Sequence, residues 1–442
     1  MKSYKILLML IAIGFGAVSC EDFTDGINVD PNNFTSAPGN LIVGQAQLTA
    51  VKLSSSNASR LAGIWTDQFT GADRQYINYD QYSMTAGDFD DEWDDLYADG
   101  ATQARLAKAQ GLDAGDNLLA GVATIMEAML MGEAAALWGD VPYRNAFDYT
   151  ENPDPTYDPQ EQVFADVQAL LDEAITLVGD AKVASVYGTP IFVGNNADWG
   201  EIAHTLKARY YMITKDYASA YAESLLGISS PSGSLLSAHS SSSGARNLYY
   251  QFLFEQRGGY LTGDNSTLVQ LMNGTKDRLL DTPGDANRYP IYFKDLGTGA
   301  PDLNFDTDGY FAIDASYPIV SWIENKLIEA EAAERTGGAD GKVPFNEVRA
   351  HLATVYGGAF PATNSAGDQL ILEILEEKFV SLPGSLQVWH DARRTNNALG
   401  VPIKNSTAPR IPQRFFYPQV EINSNDNFPG IVDLFEPTPV NQ

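Results

Sequence analysis

Residues 122–143 read VATIMEAMLMGEAAALWGDVPY. Val122, Ile125, Met126, Met129, Leu130 and Leu137 recur at spacings of three and four, so they share one face of an α-helix. Gly139 stops that helix and Pro142 follows just beyond it, the usual punctuation of a helix C-terminus. Glu133 lies beside the apolar face. A carboxylate there is costly unless a neighbouring helix supplies a hydrogen bond, and that bond is the expectation.

Outward from this helix the same pattern recurs. Asp158-Pro159-Gln160-Glu161 predicts an N-cap, a proline at the first helical position and a capping-box acid. Val163, Phe164, Val167, Leu170, Leu171 and Ile175 then form an apolar face. Asp198 with Glu201, and Ser321 with Glu324, repeat the cap logic before further helices, and Leu370 to Phe379 mark another. The helices fall into pairs with short connections: about 88–110 with 116–138, 160–178 with 199–216, 321–336 with 343–356, and 368–380 with 384–396. The fold class is therefore mostly α, with tetratricopeptide-like antiparallel pairs packed side by side. A further helix is expected from about Asn40 to Ser54.

Between the pairs the character changes. Residues 226–320 are rich in Gly, Ser, Asp, Pro and Tyr, with a serine run at Ser240–Ser243. Residues 400–442 hold Pro402, Pro409, Pro412, Pro418, Pro429, Pro437 and Pro439, which exclude a long helix. These two stretches are expected to form a loop-rich second face with minor β-structure, turned toward a ligand or partner. Long loops in a compact protein are commonly functional.

The chain has 442 residues, with 57 acids against 28 lysines and arginines, a net charge of -29. Nucleic acid is excluded as a partner, since phosphate binding needs clustered cations. Cys20 is the one cysteine. It follows Lys2, Lys5, an apolar run from Ile6 to Phe15, and Ala17-Val18-Ser19. That layout predicts a signal peptide over 1–19 and a lipidated Cys20 opening a polar tether over 20–40, anchored in the membrane by acyl chains. An ordinary signal peptide with a chance cysteine is the alternative. Acidic Glu21, Asp22 and Asp25 hint at export to the outer face of the outer membrane. The remaining domain is expected to span 41–442.

Motifs spread along the chain carry a resemblance. They begin with Asn28-Val29-Asp30-Pro31-Asn32 and Leu137-Trp138-Gly139-Asp140-Val141-Pro142-Tyr143. Gln256-Arg257-Gly258-Gly259-Tyr260 and Asp277-Arg278 follow in the central loops. Then come Glu329-Ala330-Glu331-Ala332, Glu377-Lys378-Phe379, Trp389-His390-Asp391-Ala392-Arg393-Arg394, Arg410-Ile411-Pro412-Gln413-Arg414 and Tyr417-Pro418-Gln419. In this order, behind the cysteine-bearing leader, the chain resembles the SusD/RagB family of nutrient-uptake lipoproteins of the Bacteroidetes. The resemblance implies four tetratricopeptide-like helix pairs and a cell-surface lipoprotein of the outer membrane. It implies a lid on a SusC-like TonB-dependent barrel, and capture of a glycan, or less often a peptide, without catalysis. The family's ligand-binding aromatics follow no transferable motif.

Sugars are held by aromatic faces ringed by amides, carboxylates and arginines. Trp65, Gln68, Phe69, Arg74, Tyr76, Asn78, Tyr79 and Tyr82 have that composition and are the first candidate oligosaccharide site. Against this, Trp65 and Phe69, four apart, also suit the core face of a helix. The second candidate is Tyr249, Tyr250, Phe252, Phe254, Arg257 and Tyr260, where a structural loop is the competing reading. Trp322 could stack on a ligand or on its neighbours. Asn304-Phe305-Asp306-Thr307-Asp308-Gly309 is similar to the opening of a calcium loop, but Ala315 stands where the bidentate acid would be, so a polar turn is favoured and no metal is assigned. The four histidines, His204, His239, His351 and His390, lack metal spacing, and no nucleophile elbow or phosphate loop occurs. Neither a cofactor nor catalytic residues are expected. An extracellular glycoside hydrolase and a tetratricopeptide-type adaptor remain the alternative functions.

Overall fold

The helix read from residues 122–143 runs from Asn117 to Trp138, and every residue from Leu119 to Trp138 is buried. The structure is a computed structural model that describes residues 37–183, 191–193 and 196–442. Sequence periodicity predicted one apolar face on this helix. It is in fact buried all round, as a helix at the centre of a large core should be, with Thr124, Glu127 and Glu133 the polar exceptions to an apolar surface. Its length and hydropathy would suit a bilayer, yet 94% of that span is buried inside the protein. Asp116 caps its start, accepting from Leu119 N at 3.0 Å.

Two glycines explain how neighbours come so close. A Cβ at Gly132 would stand 2.4 Å from the Tyr210 ring, and one at Gly121 would stand 2.5 Å from Val178. Tyr210 occupies the first gap and donates its hydroxyl to Met129 O at 2.9 Å. The helices Thr102–Ala114 and Gln160–Val178 flank the central helix, while Gly39–Ser55 and Trp199–Ile213 also pack on it. A second layer joins Tyr217–Ser224, Trp322–Thr336, Lys342–Tyr356, Gly367–Ser381 and Leu386–Arg394. The fold is mostly α, as the pairs predicted.

The caps divide. Asp198 accepts from Gly200 N and Glu201 N, and Ser321 accepts from Glu324 N, as expected. Asp158 does not cap its helix. Pro159 holds the N-cap position without a side-chain bond, and Asp158 instead receives Tyr143 N and Arg144 N. The carboxylate therefore ties a small hairpin, in which Val141–Pro142 pair with Tyr157–Asp158.

The irregular segments hold only short elements. Thr70–Gly71 pair with Leu261–Thr262, Phe293–Lys294 with Leu303 and Asp302, and Leu235–Ser237 lie between Phe192–Val193 and Pro318–Val320. The proline-rich end contains the short helix Gln419–Ser424. Residues 400–442 were expected to face a ligand or partner, but 411–418 are largely buried. Phe415 N donates to Leu137 O at 2.8 Å, and the Trp138 and Trp389 indoles donate to Phe416 O and Pro412 O. This strand of loop closes the end of the core. Cys20, the signal peptide and nearly all of the 20–40 tether lie outside the described residues.

Candidate functional site

Much of the first candidate site belongs to the interior. Trp65, Gln68 and Phe69 are fully buried, and Tyr76 and Tyr82 nearly so. Trp65 ends the helix Asn57–Trp65 and meets Trp389 and Phe415 edge-on, at 5.0 and 5.6 Å between centroids. Phe69 fills the space over Gly63, where a Cβ would stand 2.3 Å away. Gln68 donates to Phe379 O at 2.6 Å and accepts from Gly384 N at 2.8 Å. The Tyr82 hydroxyl accepts from Lys404 N. In the second candidate, Tyr249 is buried against Phe311 and Tyr317 and shares a 2.6 Å hydrogen bond with Ser59. Trp322 is buried too, with its ring 5.0 Å from that of His351. These seven side chains, and Phe252 of the second candidate with them, are corrected to core. Fully burying a large ring stabilises the fold by a few kcal/mol, and their polar atoms are largely spent on structural partners.

The other candidates reach the surface. Arg74, Asn78 and Arg257 are exposed, and Tyr79, Tyr250 and Tyr260 are partly buried. The structure also joins the two candidate stretches. The Thr70–Gly71 pairing continues as a bond from Ala72 N to Tyr260 O at 2.9 Å. That register lays the helix Gln75–Asp80 against the segment 248–256. Tyr76 stands 5.0 Å from Phe252, 6.0 Å from Tyr260 and 5.3 Å from Tyr79. Arg60 donates Nε to the Tyr76 hydroxyl at 2.8 Å and lays its guanidinium 4.1 Å from the Phe252 centroid. Tyr76 is thus a buried hinge-pin between the stretches.

The outward side of the segment is aromatic. Gln251–Gln256 form a π-helical turn, a form often found where function requires a special side-chain arrangement. Tyr250 and Phe254 lie 5.3 Å apart, and Phe305 packs 5.6 Å from Phe254 and 6.2 Å from Tyr250. Phe254 is 60% exposed. Phe305 was not singled out as a binding residue by sequence reasoning. It sits in the stretch read as a polar turn, and that turn is what presents it. Asn304 donates to Pro290 O and accepts from Asp306 N, and a Cβ at Gly309 would stand 2.0 Å from Asn304 O. Asn304 is therefore committed to backbone. Among the described residues no group of three His, Cys, Asp or Glu side chains is placed to hold a metal.

Behind Tyr76 lies Glu92, buried, with Oε2 unpartnered. Burial pushes its carboxyl up to about 7, against the smaller opposing effects of Asn57 and Arg60. The histidines serve structure: His204 meets Glu223 at 2.6 Å and His239 meets Ser237 at 2.8 Å. His390 meets Glu133 at 2.8 Å, which Gln387 also bonds at 3.0 Å, so Glu133 has the interhelical partners expected of it. A separate polar groove of about 690 Å³ opens beside the 141–158 hairpin, with Arg105, Arg144, Phe147, Asn152, Asp154 and Asn427 among its walls. Its arginines are already taken, Arg105 by Glu127 and Arg144 by Asp166.

The mostly helical scaffold carrying these loops is a fold that known proteins share. The chain belongs to the SusD-like family described as "Starch-binding associating with outer membrane", whose pattern it matches over residues 31–418. No functionally curated protein matches it. Solved structures do. A SusD homolog from Bacteroides fragilis NCTC 9343 is 17% identical with a TM-score of 0.71, covering 92% of this chain and 100% of that one. A chitin-binding protein is 20% identical with a TM-score of 0.66, covering 90% and 99%. A SusD/RagB family protein from Bacteroides thetaiotaomicron VPI-5482 is 19% identical with a TM-score of 0.65, covering 89% and 95%. At these identities the likeness establishes the fold.

Proposed function

We propose that this protein captures an oligosaccharide at the cell surface and hands it to a SusC-like TonB-dependent barrel in the outer membrane, which it covers as a lid. In this reading it is held there by lipid on Cys20 and performs no catalysis. The observation that carries the binding role is the outward platform of Tyr250, Phe254 and Phe305, with Phe254 60% exposed. A soluble protein leaves an aromatic ring so open at some cost, and sugar C–H faces stack on such rings. The family description and the chitin-binding neighbour point the same way. A binding protein on the outer face cannot move its ligand through a bilayer, so a transporter must follow it.

Calorimetric titration with maltohexaose, chitohexaose, oligogalacturonate and sulfated galactan oligosaccharides tests the binding role. One class should bind, and Phe254→Ala should weaken it at least about tenfold with the melting temperature nearly unchanged. No binding from any of them, with Phe254→Ala equally silent, overturns the reading.

A further inference from the structure

The charge carried by the ligand is legible in which arginines have partners. The chain carries 57 acids against 28 bases, so a cation without a carboxylate close by is unusual. Most described lysines and arginines lie within 4.0 Å of one. Among the described residues seven do not: Arg60, Lys215, Arg257, Lys276, Arg393, Arg410 and Arg414. Of these, Arg393 and Arg414 are buried and donate to backbone carbonyls, while Arg60 and Arg257 reach the surface beside rings of one cluster, Arg257 also giving one Nη to Gln256 O.

Arg60 and Arg257 share one location. Arg60 lies over Phe252, and Arg257 lies 5.9 Å from the Tyr260 centroid. Both pull the Tyr76 hydroxyl down, against the larger upward effect of burial. So both positive charges act on the same ring, at the junction of the two stretches. Arg74 stands on the same helix start as Tyr76. Its one acidic neighbour is Asp73, at 3.8 Å and itself exposed. Arg60 spends Nε on Tyr76, and neither of its Nη groups is an orphan of the interior. They remain free to donate outward. The acid nearest behind them, Glu92, is buried and carries a raised carboxyl.

Arginine forks match carboxylate and sulfate groups, and rings beside them match a sugar face. We propose that this face takes an acidic oligosaccharide, one bearing uronate carboxylates or sulfate esters, whose charge is met by Arg60 and Arg257 while its sugar rings stack on the Tyr250–Phe254–Phe305 platform. The proposal rests on the binding role given above and adds the class of ligand. Charged rings on a strongly acidic protein also have a selective effect. The overall field repels an anion, so local donors must supply the attraction.

The test uses full-length protein in detergent and four probes: oligogalacturonate, a sulfated galactan oligosaccharide, maltohexaose and chitohexaose. An acidic probe should bind best. Its affinity should fall as sodium chloride rises, because screened charge pairs contribute less. Arg257→Gln, on an exposed side chain, should cost about tenfold or more in that affinity. Arg60→Lys should retain more binding than Arg60→Gln. Preference for uronate or for sulfate separates the two sources of charge, and either supports the proposal. If neutral probes bind through Phe254 while acidic ones do not, or if Arg257→Gln leaves the acidic affinity unchanged, the ligand class is overturned and the oligosaccharide reading stands. Silence from every probe, with Phe254→Ala also silent, removes both.

Discussion

Glu377 and the Tyr76 junction each gather arginines, and they do so to opposite ends. Arg278, Arg288 and Arg349 converge on Glu377, with all four side chains buried. Asp285 and Glu376 neutralise the remaining charge. Burial would raise the Glu377 carboxyl, but Arg288, Arg278 and Arg349 outweigh it and hold it far below the carboxylate range. At the Tyr76 junction Arg60 and Arg257 meet rings, and no carboxylate lies within 4.0 Å of either. Where cations and acids match, a loop is locked to the helix Gly367–Ser381. Where they do not match, the surface is left with donors to offer. Arginine count alone therefore distinguishes nothing; the partner does.

The largest expected effect comes from unbalancing the matched region. Glu377→Ala leaves three buried guanidiniums short of a counter-charge and should cost about 3–5 kcal/mol, read as a fall in urea midpoint or as loss of folded protein. Glu377→Gln should recover only part of this, because its single amide oxygen can keep the bonds from Ser381 and Arg288 while its NH2 group faces the Arg278 and Arg349 donors without accepting from them. A stability close to wild type for Glu377→Ala would show the knot to be ornamental. Of similar size is Trp65→Ala, about 3–5 kcal/mol, because the indole sits between Trp389 and Phe415. Measured beside Phe254→Ala, it places the two aromatic populations on one scale.

That pair of substitutions also marks how far the sequence could be read. The central helix was legible because its cause is local: spacing, Gly139 and Pro142 all lie within one stretch. Its burial on every face was not, since that depends on four other helices arriving. Likewise Trp65 and Phe69 have the composition of a sugar platform, and nothing nearby in the chain says that Trp389, Phe415 and Phe311 close over them. Tyr250 and Phe254 could be named as a cluster from sequence. Phe305 joins them only because the turn opened by Asn304 folds back from some fifty positions away, on the order of a long loop closure whose outcome no local rule encodes. Asp158 failed as a cap for the same reason: the hairpin competed for its carboxylate.

A smaller effect should come from Glu92, which faces Arg60 and Asp91, with the Tyr76 and Tyr79 hydroxyls close by. Its carboxyl is raised from the ordinary 4.5 to about 7 by burial. Between those values the folded chain binds more protons than the unfolded one, so this group's contribution to stability falls as pH rises through the window. Above 7 the full cost is present, about 3 kcal/mol at most. Glu92→Gln should thus melt higher than wild type at pH 8 and at nearly the same temperature near pH 4.5. A difference independent of pH would show that the carboxylate has a partner beyond the Asn57 side chain.

The smallest effect on stability should be the largest on binding. Phe254 is 60% exposed and its ring touches Tyr250 and Phe305 at one edge. Phe254→Ala removes little buried area, so its cost should stay within about 0.5–1 kcal/mol. The junction behind it, where Tyr76, Phe252 and Arg60 pack, keeps its contacts. Oligosaccharide affinity should nonetheless fall at least about tenfold, because the stacking face is gone. Tyr250→Ala gives an internal control, since Tyr250 is partly buried and should lose some of both. If Phe254→Ala instead lowers stability as much as Trp65→Ala while leaving affinity intact, the exposed and buried rings are doing the same job, and the contrast between the matched and unmatched regions collapses at its aromatic end.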